Sequence, residues 1–161
     1  VGEVGEIVHR SPHLILEYYK DTEKTAEAFA NGWFHSGDLG RFDADGYLYV
    51  VDRKKDMIKT GGENVASREV EEAIFHHPDV AEVAVFGIPH PTWIEAVTAI
   101  VVAKDGSSVT REQLMDYCRE NLAGFKSPKH IEIVTQLPKN ASGKILKKDL
   151  RVEYQGVFDG G

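Results

Sequence analysis

The chain has 161 residues, which is the length of one ordinary domain or of one domain with a small attached piece. Hydrophobic residues make up 42% and charged residues 28% of it, values typical of a soluble globular protein, and no apolar run approaches the roughly 20 residues of a membrane-spanning helix. Its single cysteine, Cys118, excludes an intrachain disulfide and a multi-cysteine metal site. Val1 is not followed by a secretory signal pattern, so we expect a cytoplasmic protein and interpret the start as a cut or processed end.

The net charge of −7 is unevenly distributed, because residues 126–151 hold seven Lys or Arg against only two Asp or Glu. A basic segment of this kind is compatible with a nucleic acid, with the phosphates of a small ligand, or with an ordinary solvated helix face. No nucleic-acid-binding motif accompanies it and the rest of the chain is acidic, so we expect no nucleic-acid partner. The seven histidines are scattered without ligand spacing, and we predict no metal site.

The first fifty residues are predicted to be rich in β-structure. Alternating apolar residues predict a strand in GEIVHR, and residues 21–29 have the pattern of a short capped helix. Two strands, GDLGRF and YLYVV, flank residues 43–46, whose Asp and Gly residues favour a tight hairpin. This stretch is too short to bury much apolar surface alone, so we assign it to a neighbouring domain that is incomplete here. Its exposed apolar surface would also allow two copies to form a homodimer.

From about residue 56 onward, strands and helices alternate. DMIKT, VAEVAVFGI, AVTAIVVA and HIEIVT have the apolar and β-branched composition of strands. Three helices are predicted: one from a Ser67 cap to His77, one opened by a Thr110/Gln113 capping box, and one over about residues 145–154. The alternation predicts a small domain of the α+β (α/β-like) class, with two or three layers, over residues 56–161.

Four short segments combine residue types that packing alone does not require. Asp38 in HSGDL offers a carboxylate that can accept hydrogen bonds from paired sugar hydroxyls, although an ordinary turn aspartate fits the pattern as well. Residues 53–55 are three consecutive cations at the predicted junction, where solvated linker charge is the alternative. Gly61-Gly62 lies between a predicted strand and a predicted helix, where backbone freedom and a helix N-terminus favour an anionic ligand. Lys144, in a glycine-containing predicted loop, can carry a positive charge to a phosphate, unless it is merely solvated.

These segments occur together in an order and approximate spacing that resembles a known family. WFHSGDLG, VDRKKDMIKTGGENV, FKSPK and LPKNASGKILKKDL resemble the C-terminal part of the adenylate-forming (AMP-binding) superfamily, which includes acyl-CoA synthetases, luciferases and adenylation domains. The resemblance covers essentially the whole chain, and NGWFHSGDL with TGGENVASREVEEAI is most similar to fatty-acyl-CoA synthetases. It implies the fold of that family's small C-terminal domain, which is α+β with a mixed sheet and three helices, preceded by a β-rich fragment, residues 1–52, that forms the tail end of the large N-terminal domain.

The resemblance also implies roles for single residues in the chemistry of the nucleotide. Asp38 matches the carboxylate that holds the ATP ribose, Arg53 matches its arginine partner, and Val50 would line the nucleotide pocket. Lys55 falls on the hinge, residues 53–55, about which the small domain rotates between two working orientations. Lys144 matches the lysine that bridges the substrate carboxylate and ATP, where a cation stabilises the charge that develops as the acid attacks the α-phosphate.

A second set of residues is implied to face coenzyme A after the rotation. The glycine segment, residues 60–63, resembles the lining of the pantetheine channel. Two aromatic positions lie near the coenzyme in relatives, and two lysines can meet its phosphates. The full set is Thr60, Gly61, Gly62, Glu63, the aromatic residues Trp93 and Phe125, and the lysines Lys126 and Lys129. Plain core packing is the alternative for Trp93. Two positions depart from the family pattern: Ile94 stands where many members have Gly, and Ser127 replaces a basic residue found in some coenzyme A ligases.

The resemblance implies that the full-length protein is an acid–thiol ligase. It would use ATP, with Mg²⁺ accompanying the nucleotide, and coenzyme A as a co-substrate, and would act on a medium- or long-chain fatty acid. An aryl-CoA ligase or a luciferase-like enzyme would share nearly all these motifs. A non-catalytic interaction module is the alternative from a different class, and it is disfavoured because the functional positions are present. We expect this chain alone to be inactive without its N-terminal domain, and we leave peripheral membrane association of the full-length enzyme open.

Overall fold

The computed structural model describes residues 1–158, which form two compact units that divide in sequence between Lys55 and Asp56. The elements of the first unit are β1 (Gly5–His9), α1 (Thr22–Ala28), β2 (Phe34–Phe42) and β3 (Leu48–Arg53). The three strands form one antiparallel sheet in the order β1-β2-β3. No hydrophobic side chain of this unit is fully buried within the described part of the chain.

Local side-chain contacts explain where the elements of the first unit begin and turn. The Asp21 carboxylate accepts a hydrogen bond from the Lys24 amide at 2.9 Å and so caps α1. In the β2–β3 turn, the Asp43 carboxylate accepts from the amides of Asp45 and Tyr47 at 3.0 and 2.9 Å. These donors lower the pKa of Asp43, the Tyr47 amide most strongly, because they stabilise the charged form. Gly46 completes the turn at a φ of 85°.

Up to residue 158, the second unit has five strands and three α-helices. Its elements are β4 (Ile58–Thr60), β5 (Glu63–Val65), α2 (Ser67–Phe75), β6 (Val80–His90), β7 (Ile94–Ala103), α3 (Arg111–Asn121), β8 (His130–Val134) and α4 (Lys147–Glu153). The sheet has the order β5-β4-β7-β6, and β8 lies beside β7. The β7/β8 pair is parallel and the other pairs are antiparallel, which confirms the predicted α+β fold with a mixed sheet.

Helices cover both faces of this sheet, so the second unit has three layers. One face packs against α2 and α3 through a core cluster that includes Val70, Ile74 and Leu114. The other face packs against α4 through a cluster that includes Phe86 and Leu150. Strands β6 and β7 are rich in Val, Ala and Ile and are buried along most of their length, as expected for strands covered on both faces.

The structure corrects several details of the prediction. Strand β5 was not predicted, and it pairs with β4 directly after the glycine pair. Helix α2 is capped at Ala66 without a side-chain hydrogen bond, whereas Ser67 is the first helical residue and is fully buried. The helix ends at Phe75, before the predicted His77. The Thr110/Gln113 capping box is confirmed, with both reciprocal hydrogen bonds present.

Cys118 lies on the inner side of α3 and is 1% exposed. Burial raises the pKa of its thiol to about 11, because a thiolate loses its hydration there.

Within the described residues, none of the helices combines the length and the apolar composition needed to cross a membrane.

Candidate functional site

The proposed ribose-binding residues of the first unit lie opposite each other on two strands. Asp38 on β2 is the cross-strand neighbour of Arg53 on β3, and Arg53 Nε lies 3.1 Å from Asp38 Oδ1. The Asp38 amide donates to Ser36 Oγ at 3.0 Å, and this hydroxyl donates to the Ile7 carbonyl at 2.8 Å. Asp38 therefore lies within a strand held from β1, and not in a simple turn. Both charged side chains and Val50 remain partly exposed, so a ligand can reach them.

The junction between the two units is a short 3₁₀ turn over Lys54–Asp56. Lys54 Nζ lies 2.9 Å from Glu6 Oε2, an ion pair within the first unit. This ammonium, followed by the nearby His35, lowers the pKa of the Glu6 carboxyl. Asp56 Oδ1 accepts from the Arg151 guanidinium at 2.9 Å, an ion pair within the second unit. The Lys55 side chain between them has no hydrogen bond or ion pair with any residue in 1–158.

The glycine pair forms the turn of a tight β-hairpin. Gly61 and Gly62 have φ values of 58° and 87°, and the residues on either side, Thr60 and Glu63, pair with each other across β4 and β5. Two consecutive residues with positive φ are typical of a type I′ turn, which explains the requirement for glycine at both positions. The pair does not lead directly into a helix N-terminus, as the sequence pattern predicted, because α2 begins at Ser67.

An aromatic and a cationic side chain lie beside this hairpin. The Gly61 amide donates to the Trp93 carbonyl at 3.0 Å, which ties the hairpin to the turn between β6 and β7. The Trp93 ring is stacked on His90 with 4.3 Å between centroids, and Lys129 Nζ lies 5.2 Å from the Trp93 ring centroid. The fold therefore brings together three of the residues assigned to coenzyme A, namely Gly61, Trp93 and Lys129, and we call them the glycine–tryptophan cluster.

The other residues assigned to coenzyme A differ in how accessible they are. Phe125 is substantially exposed, and Glu63 is exposed in the hairpin. Lys126 Nζ lies 2.6 Å from Glu69 Oε1 on α2, so its charge is already paired. Thr60 is buried, which leaves its side chain little access to a ligand. Of the two lysines predicted to meet phosphates, it is Lys129 that lies at Trp93.

Lys144 lies on a small hairpin formed by residues 139–145, which we call the lysine hairpin. Lys139 and Ile145 form an antiparallel bridge at its base. The Asn140 carboxamide oxygen accepts from the amides of Ser142 and Lys144 at 3.0 and 2.9 Å, so one side chain organises the whole turn. Lys144 itself is exposed, and its ammonium has no partner among the described residues. The predicted loop is therefore a defined hairpin with a free cation.

The lysine hairpin and the glycine–tryptophan cluster lie at opposite ends of the same sheet. Lys139 Nζ lies 2.6 Å from Glu82 Oε2, near the first residue of β6, whereas Trp93 stacks on His90, the last residue of β6. A strand advances about 3.4 Å per residue, so the eight steps between Glu82 and His90 correspond to about 27 Å. The two sets of candidate functional residues are therefore presented on separate ends of the second unit.

Ile94 shows a strained backbone that the sequence alone did not predict. Its φ is 70°, although it is β-branched, and its side chain is 68% exposed. The departure noted in the sequence, Ile where many members of the family have Gly, thus falls on a position whose conformation suits glycine. Ile94 directly follows Trp93 and pairs with Thr60, so the strain lies in the segment that presents the glycine–tryptophan cluster.

Comparison with known proteins finds similarity to AMP-binding enzymes. A model described as the AMP-binding enzyme C-terminal domain matches residues 69–144. Feruloyl-CoA synthase of Amycolatopsis sp is 47% identical over 153 residues, covering 95% of this chain and 31% of the relative. A long-chain-fatty-acid–CoA ligase of Mycobacterium tuberculosis is 48% identical over 153 residues, covering 95% of this chain and 30% of the relative.

A solved structure is similar along nearly the whole chain. The crystal structure of ATP-bound MatB from Rhodopseudomonas palustris has a TM-score of 0.90 and 38% identity, covering 98% of this chain and 31% of that one. The chain thus spans less than a third of the length of the proteins it matches. Residues 69–144 thus match the C-terminal domain of AMP-binding enzymes, and the similarity to the relatives named above extends on both sides of that match over nearly the whole chain.

Proposed function

We propose that the full-length protein is an ATP-dependent acid–thiol ligase. In the first half-reaction a carboxylate attacks the α-phosphate of ATP, which forms an acyl-adenylate and releases pyrophosphate. In the second, the thiol of coenzyme A attacks the acyl carbonyl and releases AMP. The observation that carries this proposal is the placement of the Lys144 ammonium and the glycine–tryptophan cluster at opposite ends of one sheet. One domain can then serve two consecutive reactions with two different surfaces.

In the first half-reaction, Asp38 and Arg53 would hold the nucleotide and Lys144 would stabilise the reacting phosphate. The Asp38 carboxylate can accept hydrogen bonds from the two ribose hydroxyls, and its pairing with Arg53 orients it. Val50 would pack beside the nucleotide. An unpaired ammonium such as that of Lys144 can meet the substrate carboxylate and the α-phosphate without first breaking an ion pair. Mg²⁺ would arrive with the nucleotide, and no residue of this chain is assigned to it.

Between the half-reactions the second unit would rotate about Lys55. The flanking residues support a pivot at this single position, because Lys54 is anchored by Glu6 and Asp56 by Arg151. A backbone change at Lys55 would leave both anchors intact. We therefore propose residues 53–55 as the hinge between the tail end of the N-terminal domain, residues 1–52, and the mobile domain, residues 56–161.

In the second half-reaction, the glycine–tryptophan cluster would receive coenzyme A. The Gly61-Gly62 turn carries no side chain and leaves room for the narrow pantetheine arm. Lys129 and the Trp93 ring offer a cation and an aromatic face to the phosphates and the adenine. Phe125, Lys126, Thr60 and Glu63 complete the proposed surface, in which Lys126 would have to leave Glu69 to reach a phosphate.

The acid substrate is proposed to be a medium- or long-chain fatty acid. A feruloyl-CoA synthase is nearly as similar to the chain as the fatty-acid ligase, which favours an aryl acid as the second candidate. The acyl pocket would belong to the N-terminal domain, the main partner of this chain. A screen of the purified full-length enzyme against fatty acids of increasing chain length and against aryl acids distinguishes the two substrate classes. The full-length enzyme is proposed to be cytoplasmic.

The decisive experiment is Lys144→Ala in the full-length enzyme. ATP–pyrophosphate exchange should fall by about 100- to 1,000-fold, because one well-placed cation is lost from the transition state. Thioester formation from supplied acyl-adenylate should change little. Lys148→Ala removes another exposed lysine of the same segment and should leave both half-reactions unchanged. Small, equal effects of Lys144→Ala on both half-reactions would contradict its role in adenylation.

The hinge is tested separately by Lys55→Pro. Proline fixes φ near −65° and so prevents the backbone change at the hinge. Adenylation should survive, while the subsequent transfer to coenzyme A fails.

The isolated chain of residues 1–161 should show no ATP–pyrophosphate exchange with any acid, and robust exchange would contradict its dependence on the N-terminal domain.

A further inference from the structure

We propose that two ion pairs on either side of the lysine hairpin, Lys139 with Glu82 and Lys147 with Glu71, act as positioning residues for Lys144. This inference rests on the proposed role of Lys144 in adenylation. The two lysines lie five residues before and three residues after Lys144, and their acidic partners lie on β6 and α2. The hairpin is thus held from both sides by elements that are distant in sequence.

The first pair holds the base of the hairpin. Lys139 Nζ lies 2.6 Å from Glu82 Oε2, and Lys139 is also the residue whose backbone bridges to Ile145. Fixing Lys139 therefore fixes both strands of the hairpin at once. The two side chains are 39% and 36% exposed, so salt screens this attraction more strongly than it would screen a buried pair.

The second pair holds the chain where it leaves the hairpin and enters α4. Lys147 Nζ lies 2.7 Å from Glu71 Oε1 and 2.9 Å from Ser67 Oγ, and the two charged side chains are only 18% and 23% exposed. Glu71 Oε1 also accepts from the Val85 amide of β6 at 2.8 Å. Glu71 is therefore oriented by the sheet itself, and breaking this half-buried pair is expected to matter more than breaking an exposed one.

An apolar contact lies between the two ion pairs. Ile145 is partly buried against the core cluster of Phe86 and Leu150, and it lines a groove of about 400 Å³ together with Phe75 and Val83. Lys144, one residue earlier, is exposed. The hairpin is therefore attached at three points that fix its backbone, while the ammonium that is proposed to act remains free in the described part of the chain.

The test measures the two half-reactions separately in the full-length enzyme carrying Glu71→Gln or Glu82→Gln. Each variant keeps the size of the side chain, and a glutamine at position 71 can still accept from the Val85 amide. Displacement of a catalytic group by about 1 Å can cost up to 100-fold. We expect ATP–pyrophosphate exchange to fall about tenfold for Glu71→Gln and about threefold for Glu82→Gln, with thioester formation from supplied acyl-adenylate changed less than twofold.

Charge reversal tests whether the ion pair itself, and not the identity of either side chain, is responsible for the loss of exchange. Lys139→Glu combined with Glu82→Lys should restore exchange to within about twofold of the wild type, whereas each single reversal should lower it by more than the Gln variant does. Asp116→Asn is the matched control, because it breaks an exposed ion pair with Arg119 on α3, away from the hairpin, and should change neither half-reaction.

Three results would separate the possible failures. Wild-type exchange in both Gln variants, with Lys144→Ala still defective, would overturn the positioning role alone. An equal loss in both half-reactions together with a lowered melting temperature would also overturn it, because that is the signature of general destabilisation. Normal exchange in Lys144→Ala itself would instead contradict the proposed function on which this inference rests.

Discussion

The two units of the chain differ sharply in how far they bury their apolar side chains. Every fully buried hydrophobic side chain of the described residues lies in the second unit. In the first unit, four consecutive residues of the β2–β3 hairpin, Tyr47, Leu48, Tyr49 and Val50, are each at least 45% exposed. The second unit thus has the core of an independent domain, whereas the first has a hydrogen-bonded sheet without a core. A sheet of this kind depends on apolar surface supplied from elsewhere.

The largest expected effect comes from separating the two units. Residues 56–161 alone should unfold in one cooperative transition, with an enthalpy of about 70 kcal/mol near 60 °C for a domain of this size. Residues 1–55 alone should show no cooperative transition, because no core is lost on unfolding. Differential scanning calorimetry of the two fragments measures both quantities. A cooperative transition in residues 1–55 would contradict the conclusion that the first unit has no core of its own.

A matched pair of Phe→Ala substitutions compares the units in the intact chain. Phe86 is 0% and Phe42 is 54% exposed. Phe86→Ala should lower the free energy of unfolding by about 3–5 kcal/mol, because it leaves a cavity in the core. Phe42→Ala should change it by less than about 0.5 kcal/mol. Chemical denaturation measures both. Repeating Phe42→Ala in the full-length protein tests whether the proposed N-terminal domain covers this side chain, since the loss of unfolding free energy would then be larger.

Backbone strain provides a smaller comparison between the units. Ile94 in the second unit has a φ of 70° and Asn31 in the first has a φ of 55°. Ile94→Gly should raise the free energy of unfolding by about 1 kcal/mol, because a β-branched residue is strained there and its side chain buries little. Asn31→Gly should change it by less than about 0.5 kcal/mol, because asparagine tolerates this conformation. A loss of stability in Ile94→Gly would show that its side chain contributes more than the strain costs.

The smallest expected effect is a pH dependence of the second unit through His130. Burial and, to a lesser extent, the charge of Arg111 lower the pKa of this imidazole below its usual value near 6.5, and Glu132 opposes them. The unfolded chain therefore takes up the proton first, so stability is complete above pH 6.5 and decreases as the pH falls below it. His130→Gln in residues 56–161 should remove this part of the slope between pH 7.5 and 5.5. An unchanged slope would contradict the assignment.

The fold was predictable where the sequence pattern was long and regular. Strands β6 and β7 are runs of apolar residues, and the Thr110/Gln113 box marks the start of α3 without tertiary information. Strand β5 was missed because three residues, two of them polar, show no periodicity, and its pairing depends on the glycine turn. Ser67 was taken for a helix cap because its hydroxyl suits that position, but the buried hydroxyl instead accepts from Lys147, 80 residues away.

The candidate site shows the same division between local and distant information. Motifs identified Asp38, Arg53, Gly61, Gly62 and Lys144 as positions of interest, and each of them is at least partly exposed in the structure. The ion pairs that hold the lysine hairpin were not predictable, because which acid meets which lysine depends on how β6 and α2 pack. The positive φ of Ile94 was likewise not predictable, since β-branched residues rarely adopt this conformation.

The burial of Cys118 has a practical consequence for following movement in this molecule. With a pKa of about 11, roughly one thiol in ten thousand is ionised at pH 7, and the sulfur is enclosed between helix and sheet. Maleimide dyes and thiol-specific spin labels should therefore not react with Cys118. Within this chain, cysteines introduced at exposed positions on the two units can be labelled directly, so distances between the two labels can be recorded without first removing a core side chain.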